Sequence, residues 1–168
     1  MGIILYYMGA GILPIAFHNG EVYLLFGEEF NERKWIDFGG GKDKGESTIQ
    51  TATRECYEEL DGFLGSVNEL KQMIKTSLVL KLKLENYTSF LVKIPYDQNL
   101  PLYFNNHHKF VKSNLPDLIC KNGLFEKRQI RWMTIDDLKK KRYPFRPYYK
   151  KMIEHIIENH DFLLDAIQ

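Results

Sequence analysis

The sequence predicts an α/β (α+β) fold, a mixed β-sheet with helices on both faces in an α-β-α sandwich. Three observations lead to this prediction. The chain has 168 residues, which is the usual size of one domain, and no linker or repeat divides residues 1–168. Its residues are 44% hydrophobic and 27% charged, a globular composition that excludes a disordered chain. Strand-like and helix-like stretches are interleaved, and most strands come in hairpins, which favours a mixed sheet.

The charge balance and the cysteine count limit the possible partners and compartment. Lys and Arg number 23 against 22 Asp and Glu, so the net charge of +1 gives no global argument for a nucleic-acid coat or a membrane-surface protein. Two cysteines are too few for a disulfide framework and are typical of a reducing compartment. The apolar stretch Met1 to Phe17 is interrupted by Gly and Pro and has no basic start, unlike a signal peptide. We therefore expect a cytoplasmic protein without a membrane partner, either a monomer or a homodimer.

The N-terminal half predicts a hairpin, a short strand and a helix. The apolar runs Gly11 to Phe17 and Val22 to Phe26 flank His-Asn-Gly, which is turn chemistry. A short apolar strand, Trp35 to Phe38, ends in three glycines. A helix is expected over Ser47 to Leu60, with Ser47 or Thr48 as its cap and Gly62 as its end.

The C-terminal half predicts a second hairpin, a last strand and several helices. The hairpin strands are expected at Thr76 to Leu84 and Tyr87 to Ile94, and the last strand at Gln129 to Thr134. The helices are expected at Val67 to Met73, Leu102 to Val111, Ile135 to Lys140 and Tyr148 to His160.

Three glutamates in the first helix carry the strongest chemical signal. Glu55, Glu58 and Glu59 are spaced i, i+3 and i+4, so their carboxylates share one helix face. The three like charges repel one another, and they lie in the half of the helix where the macrodipole disfavours anions. A bound divalent cation would reverse this penalty, and oxygen ligands suit Mg²⁺ or Mn²⁺.

The segment before this helix suits a phosphate-bearing substrate. Three consecutive glycines, Gly39 to Gly41, let the backbone approach a ligand closely. Lys42 and Lys44 add positive charge beside them. Because protein-bound Mg²⁺ usually also contacts substrate phosphates, we expect these five residues to contribute to binding a phosphorylated substrate.

These residues together resemble the signature of the Nudix hydrolases, G-x5-E-x7-R-E-U-x-E-E-x-G-U, where U is apolar. The matching positions are Gly40, Glu46, Arg54, Glu55, Glu58 and Glu59. The second glycine of the signature falls on Asp61, and Gly62 follows one place late. Since Asp tolerates the left-handed conformation, this departure concerns the turn more than the proposed metal site.

The resemblance implies a Nudix-type fold with a catalytic loop-helix-loop and C-terminal helices. It also implies hydrolysis of the diphosphate bond in a nucleoside diphosphate linked to another group, by water activated by Mg²⁺ or Mn²⁺. Glu55, Glu58 and Glu59 match metal-binding positions, and the Gly40 carbonyl is often a further ligand. Arg54 and Glu46 match positions that orient the glutamates, a role that metal sites commonly need.

Residues outside the signature are expected to complete the site. Glu126, before the last strand, is the first candidate for a general base or an extra metal ligand, and Glu85 is the second. His107 and His108 are adjacent, so they point to different faces, and both are expected at the surface. Substrate identity is expected to depend on two segments, Gln98 to Asn114 and Pro116 to Gly123.

Two alternatives to a small-nucleotide pyrophosphohydrolase stay open. The first is hydrolysis of mRNA caps, suggested by the basic and aromatic segment from Lys139 to Lys151. The stretch Trp35 to Gly41 also resembles Nudix proteins encoded by large DNA viruses, some of which act on caps. Against an RNA-binding role, the aromatic residues of the basic segment can instead face the core. The second alternative is a non-catalytic Nudix domain that binds a nucleotide or a protein.

Overall fold

The computed structural model describes residues 8–168. The strands are β1 (Gly9–His18), β2 (Glu21–Glu29), β3 (Trp35–Ile36), β4 (Phe38–Gly41), β5 (Leu78–Lys83), β6 (Tyr87–Lys93) and β7 (Lys127–Thr134). The helices are α1 (Thr48–Glu59), α2 (Val67–Ser77), α3 (Leu100–Asn114), α4 (Ile135–Lys139), α5 (Lys150–Glu158) and α6 (His160–Ile167). Short 3-10 turns occupy Pro116–Leu118, Lys121–Gly123 and Pro147–Tyr149.

The seven strands form one mixed sheet. Its main path is β3-β2-β1-β6-β5, with β4 paired to β1 and β7 paired to β2. Strands β1 and β6 run parallel, and the other pairs are antiparallel. The mixed sheet predicted from the sequence is therefore confirmed, including both predicted hairpins, β1–β2 and β5–β6.

Two apolar layers cover the two faces of the sheet. On one face, side chains of α1, α2 and α3, such as Cys56, Leu70 and Phe104, pack with Leu25 and Phe90 of the sheet. On the other face, the C-terminal helices pack against alternate residues of the same strands; this layer includes Leu13, Leu24, Phe26, Tyr149, Ile156, Leu163 and Ile167. This arrangement is the predicted α-β-α sandwich.

The glycine run is part of the sheet, which the sequence did not predict. The expected strand Trp35 to Phe38 divides at the buried Asp37 into β3, paired with β2, and β4, paired with β1. In β4, Gly40 lies opposite Ala10. Glycine is a weak strand former, so local propensity misses this strand, which tertiary pairing creates.

Several predicted boundaries differ from the observed ones. Helix α2 continues through Thr76 and Ser77, which the sequence assigned to a strand. The predicted helix Tyr148 to His160 is two helices, α5 and α6, that meet at Asn159. The segment Met1 to Tyr7, part of the apolar N-terminal stretch, lies outside the described residues. Among the described helices, none combines the length and apolarity needed to cross a bilayer.

Candidate active site

Helix α1, which carries the acidic face, is fixed at its beginning and at its end. The Ser47 side chain accepts a hydrogen bond from the backbone N–H of Gln50, and the Gln50 side chain accepts one from the N–H of Ser47. This capping box satisfies two free donors of the first turn. At the other end, Asp61 and Gly62 both adopt left-handed backbone angles, with φ of 50° and 73°. The expectation that Asp61 tolerates this conformation is confirmed.

A cleft of about 730 Å³ opens beside this face of α1. Gly39, Gly40 and Gly41 of β4 line one side. A Cβ atom on Gly40 would lie 2.6 Å from the carboxyl carbon of Glu55, so only glycine lets this carboxylate lie against the strand. Six lining residues are acidic and two are arginines; the acidic residues are Glu29, Asp43, Glu55, Glu58, Glu59 and Glu126, and the arginines are Arg54 and Arg146.

Arg54 binds three of the glutamates predicted from the sequence. Its Nε and Nη2 donate to the two carboxylate oxygens of Glu46 at 2.7 and 3.0 Å. Its Nη1 donates to Glu55 at 2.7 Å and to Glu58 at 3.2 Å, and Nη2 also donates to the Gly41 carbonyl at 3.1 Å. The hydrogen bonds from Arg54 lower the pKa of Glu46 to about 2. Burial raises the pKa of Glu55, although Arg54 opposes this shift.

Glu59 occupies a different environment on the floor of the cleft. It is 2% exposed, it accepts a hydrogen bond from the Gly39 N–H at 2.8 Å, and it forms a salt bridge with Lys127 Nζ at 3.0 Å. Lys127 is also fully buried and lies 3.0 Å from Glu29. Burial raises the pKa of Glu59. Burial opposes the charge of Lys127, but Glu59 and Glu29 outweigh it and raise the lysine's pKa, so the lysine is charged.

The opposite wall of the cleft brings in residues distant in sequence. Glu126, the first candidate outside the signature, lines this wall and is partly buried. Burial, followed by the charge of Glu29, raises its pKa. Arg146 lies 3.6 Å from Glu29 and 3.1 Å from Glu32. The exposed Tyr148 ring packs against Tyr87 with a centroid distance of 5.8 Å.

The donor set fits a divalent cation, although no ready-made metal cluster is present in the described residues. Carboxylates outnumber cations in the cleft, and excess negative charge built from oxygen donors suits Mg²⁺ or Mn²⁺. Within residues 8–168, however, no three Asp, Glu, His or Cys side chains converge closely enough to hold an ion. Glu55 and Glu58 point to Arg54, and Glu59 points to Lys127. Arg54 engages Oε1 of Glu55 and Oε2 of Glu58, so the second oxygen of each carboxylate could bind an ion.

Some of the predicted site residues lie elsewhere. Lys42 and Lys44 are exposed and do not line the cleft, and the same holds for Glu85. The predicted surface position is wrong for His108, which is 2% exposed because its ring packs against Phe30. The His107 side chain is 40% exposed, so the two rings do point to different environments.

Sequence reasoning missed the residues behind the cleft. Asp37 is fully buried and accepts hydrogen bonds from Tyr87 at 2.7 Å and Ser89 at 2.6 Å. Burial raises the pKa of Asp37 to about 6, against the opposing effect of these hydrogen bonds. Neither Asp37 nor Lys127 belongs to a motif. For Asp37, a lone charge in the apolar stretch Trp35 to Phe38 was the only available signal. Lys127 is one of three basic residues of β7, so no local pattern distinguishes it.

Comparison with solved structures shows the same fold. A C. elegans Ap4A hydrolase in a binary complex superposes with a TM-score of 0.57 at 16% identity, covering 95% of this chain and 98% of that one. The NUDIX domain of Shewanella oneidensis NrtR in complex with ADP ribose superposes with a TM-score of 0.50 at 12% identity, covering 91% and 87%. No family model matches the sequence, and no curated protein matches it. The chain therefore has the fold of Nudix-type proteins.

Proposed function

We propose that this chain is a metal-dependent pyrophosphohydrolase of the Nudix type. Its substrate would be a nucleoside diphosphate linked to another group. The observation that carries the proposal is the acidic face of α1, where Glu55, Glu58 and Glu59 lie beside the glycine strand in one cleft. Both structural relatives carry nucleotide ligands or substrates in their names, Ap4A for one and ADP ribose for the other.

Each residue of the cleft has a proposed part. Glu55, Glu58 and Glu59, with the Gly40 carbonyl, would hold Mg²⁺ or Mn²⁺, and the ion would neutralise the diphosphate and activate a water molecule. Arg54, itself held by Glu46, would fix the resting positions of Glu55 and Glu58.

The opposite wall supplies a base and a phosphate contact. Glu126 is suited to accept a proton because its pKa is raised, which brings a carboxylate closer to neutral pH. Arg146 is placed to contact a phosphate, and the exposed ring of Tyr148 offers a surface for a nucleobase. Lys42 and Lys44 would contribute only general positive charge, since neither reaches the cleft.

The test is a product-resolved hydrolysis panel with Mg²⁺ and with Mn²⁺. The panel contains nucleoside triphosphates, nucleotide sugars, dinucleoside polyphosphates, dinucleotide coenzymes and capped RNA. We expect cleavage of at least one class, and we expect Glu58→Gln to reduce turnover about 100-fold, since it removes a charged ligand. Glu58 is preferred to Glu59 because its side chain is 26% exposed, so the change should not disturb folding.

The matched control is Glu154→Gln, an exposed glutamate of α5 outside the cleft, which should keep full activity. Folded wild-type protein that binds Mn²⁺ but cleaves nothing in the panel would overturn the enzyme proposal in favour of a non-catalytic nucleotide-binding role. Equal turnover in Glu58→Gln and wild type would remove the acidic face from the mechanism.

The C-terminal basic segment does not favour the RNA-cap alternative. Phe145 and Tyr149 are buried, as expected for aromatic residues that face the core. Lys140 and Arg142 pair with Asp136 and Asp137 at 2.6 and 2.7 Å. Only Arg146 and Tyr148 of this segment line the cleft.

A further inference from the structure

A second cavity, which we call the basic cavity, lies between α3, the loop after β2 and the start of β7. Its volume is about 400 Å³, enough for a nucleotide-sized group. Four cationic side chains line it from these three elements, and two aromatic rings lie beside them. The cations are Arg33, Lys109, Lys112 and Arg128, and the rings are Phe30 and His108.

The positive charge of the basic cavity is largely unbalanced. Arg33, Lys109 and Lys112 form no salt bridge with any residue in the described part of the chain. Arg128 pairs with Glu28 at 3.3 Å, and no residue lining the cavity is acidic in residues 8–168. Converging like charges repel unless an anion lies between them, so the cavity attracts a polyanion.

The aromatic residues of the basic cavity narrow the class of anion. The Phe30 and His108 ring centroids are 5.8 Å apart, and Lys112 Nζ lies 5.7 Å from the Phe30 centroid. Burial, and then the charges of Lys112 and Arg128, lower the pKa of His108, so its ring is uncharged near neutral pH. Cationic side chains interleaved with aromatic rings are typical of surfaces that bind single-stranded nucleic acid.

The basic cavity adjoins the acidic cleft. Glu29 lines the cleft and the next residue, Phe30, lines the basic cavity. Likewise, Glu126 lines the cleft and Arg128 lines the basic cavity. The backbone N–H of Phe30 donates to the carbonyl of Glu126 at 2.7 Å, which joins the two walls. The two cavities therefore border the same short stretch of backbone.

We propose that the basic cavity binds the phosphodiester backbone of a single-stranded RNA whose 5′ diphosphate linkage lies in the acidic cleft. RNA chains begin with a 5′ polyphosphate, so one molecule presents both the bond to be cleaved and the following phosphates. The cations neutralise those phosphates, and Phe30 offers a face for a base. This inference rests on the proposed function, whose substrate it narrows.

The test measures RNA binding without hydrolysis. A 12-nucleotide RNA with a 5′ triphosphate and a 3′ fluorophore is titrated with protein in EDTA, and binding is followed by anisotropy at several salt concentrations. We expect Lys109→Gln with Lys112→Gln to weaken binding at least 10-fold. The salt slope should also fall by about 0.7 for each phosphate that the variant no longer neutralises. Both lysines are exposed, so the changes should not disturb folding.

The matched control is Lys139→Gln with Lys141→Gln, two exposed lysines away from the basic cavity, which should leave RNA binding unchanged. Equal binding by wild type and the cavity variant would overturn the proposal, and so would an equal loss in the control. If ADP binds as tightly as the RNA and depends equally on Lys109 and Lys112, the cavity is a mononucleotide site and the RNA assignment is wrong.

A second measurement separates this inference from the proposed function. Hydrolysis of ADP ribose and of dinucleoside polyphosphates is measured for wild type and for the cavity variant. Full activity of the cavity variant on small substrates, together with weakened RNA binding, is the result we expect. If the wild-type protein hydrolyses no small substrate, the proposed function is wrong. The RNA-binding measurement would still test the basic cavity. If small substrates are hydrolysed but RNA binding does not depend on Lys109 and Lys112, the inference about the basic cavity is wrong and the proposed function stands.

Discussion

At the scale of single residues, the buried charge beside the cleft depends on Lys127. Its ammonium group has no exposure to solvent and lies 3.0 Å from both Glu29 and Glu59. The buried Glu59 and the partly buried Glu29 therefore share one cation. Such groups are tolerated in the interior only when they are paired, because removing a charge from water is costly.

Replacing Lys127 with Met should be strongly destabilising. The methionine fills a similar volume but leaves the buried Glu59 without its cation and Glu29 with only Arg146, at 3.6 Å. We therefore expect the free energy of unfolding to fall by about 3–5 kcal/mol. Urea denaturation followed by circular dichroism measures this loss. Lys83→Met is the control, because Lys83 is exposed and its replacement should change stability by less than about 0.5 kcal/mol. A loss in Lys127→Met as small as in this control would contradict the charge pairing.

Asp37 should make stability depend on pH. Its pKa is about 6 in the folded protein and near 3.8 when unperturbed, so the folded state binds its proton more tightly than the unfolded chain. The free energy of unfolding should therefore fall as pH rises from about 4 to 6, by about 3 kcal/mol from this group. We expect Asp37→Asn to remove this part of the slope in denaturation series at pH 4 to 8. Parallel curves for the two proteins would contradict the raised pKa.

At the scale of elements, helix α1 links the glycine strand to the acidic face. Its first turn is fixed by the capping box of Ser47, and Glu46, the neighbouring residue, holds Arg54. Movement of this turn would therefore shift the guanidinium that fixes Glu55 and Glu58. Helix α2 starts with the same type of capping box, at Ser66, but no residue of α2 lines the cleft.

The two capping boxes provide a matched pair of variants. Ser47→Ala and Ser66→Ala should each lower the free energy of unfolding by about 1 kcal/mol, the usual cost of losing a cap. Only Ser47→Ala should also reduce turnover, because only that cap borders the Glu46–Arg54 pair. Denaturation and steady-state kinetics measure the two effects. Equal turnover in both variants would show that the start of α1 does not position the site.

The sequence predicts these elements unevenly, for physical reasons. Local signals identified α1, because a cap residue, a face of glutamates and a terminal glycine all occur within 16 residues of Ser47. They missed β4, whose glycines have little strand propensity and pair only because β1 lies beside them. They likewise ended α2 early, since β-branched Thr76 belongs equally well to a strand in isolation.

At the scale of the whole molecule, both apolar layers share one sheet. Leu163 of the last helix is fully buried against the layer that contains Leu24 and Phe26. Leu25, between these two residues, belongs to the layer under α1. Alternate residues of one strand thus join the two layers, and we expect the chain to unfold in a single transition.

Leu163→Ala tests this coupling. The cavity left in the C-terminal layer should cost about 2–5 kcal/mol. Unfolding is followed by tryptophan fluorescence, to which Trp35 contributes, and by far-ultraviolet circular dichroism. Both probes should report the same shift of the denaturation midpoint. Separate transitions by the two probes would show that the C-terminal layer unfolds independently.

Apart from Glu126, the parts of the site predicted from the sequence lie in one segment. Gly40, Glu46, Arg54, Glu55, Glu58 and Glu59 have fixed spacings, so a pattern could identify them. Lys127, Glu29 and Arg146 come together only through the pairing of β2 with β7 and the packing of the C-terminal segment. The same pairing brings Arg128 to the basic cavity, which no local spacing could have indicated.

The central claim, that the acidic face of α1 is a divalent-metal site, is tested most directly by Mn²⁺ binding. Electron paramagnetic resonance measures free Mn²⁺ during titration of wild type, Glu58→Gln and the control Glu154→Gln, with no substrate present. The account predicts Mn²⁺ binding by wild type and the control, with at least about 10-fold weaker binding by Glu58→Gln. Equal affinity in all three proteins, or no binding by folded wild type, would contradict it.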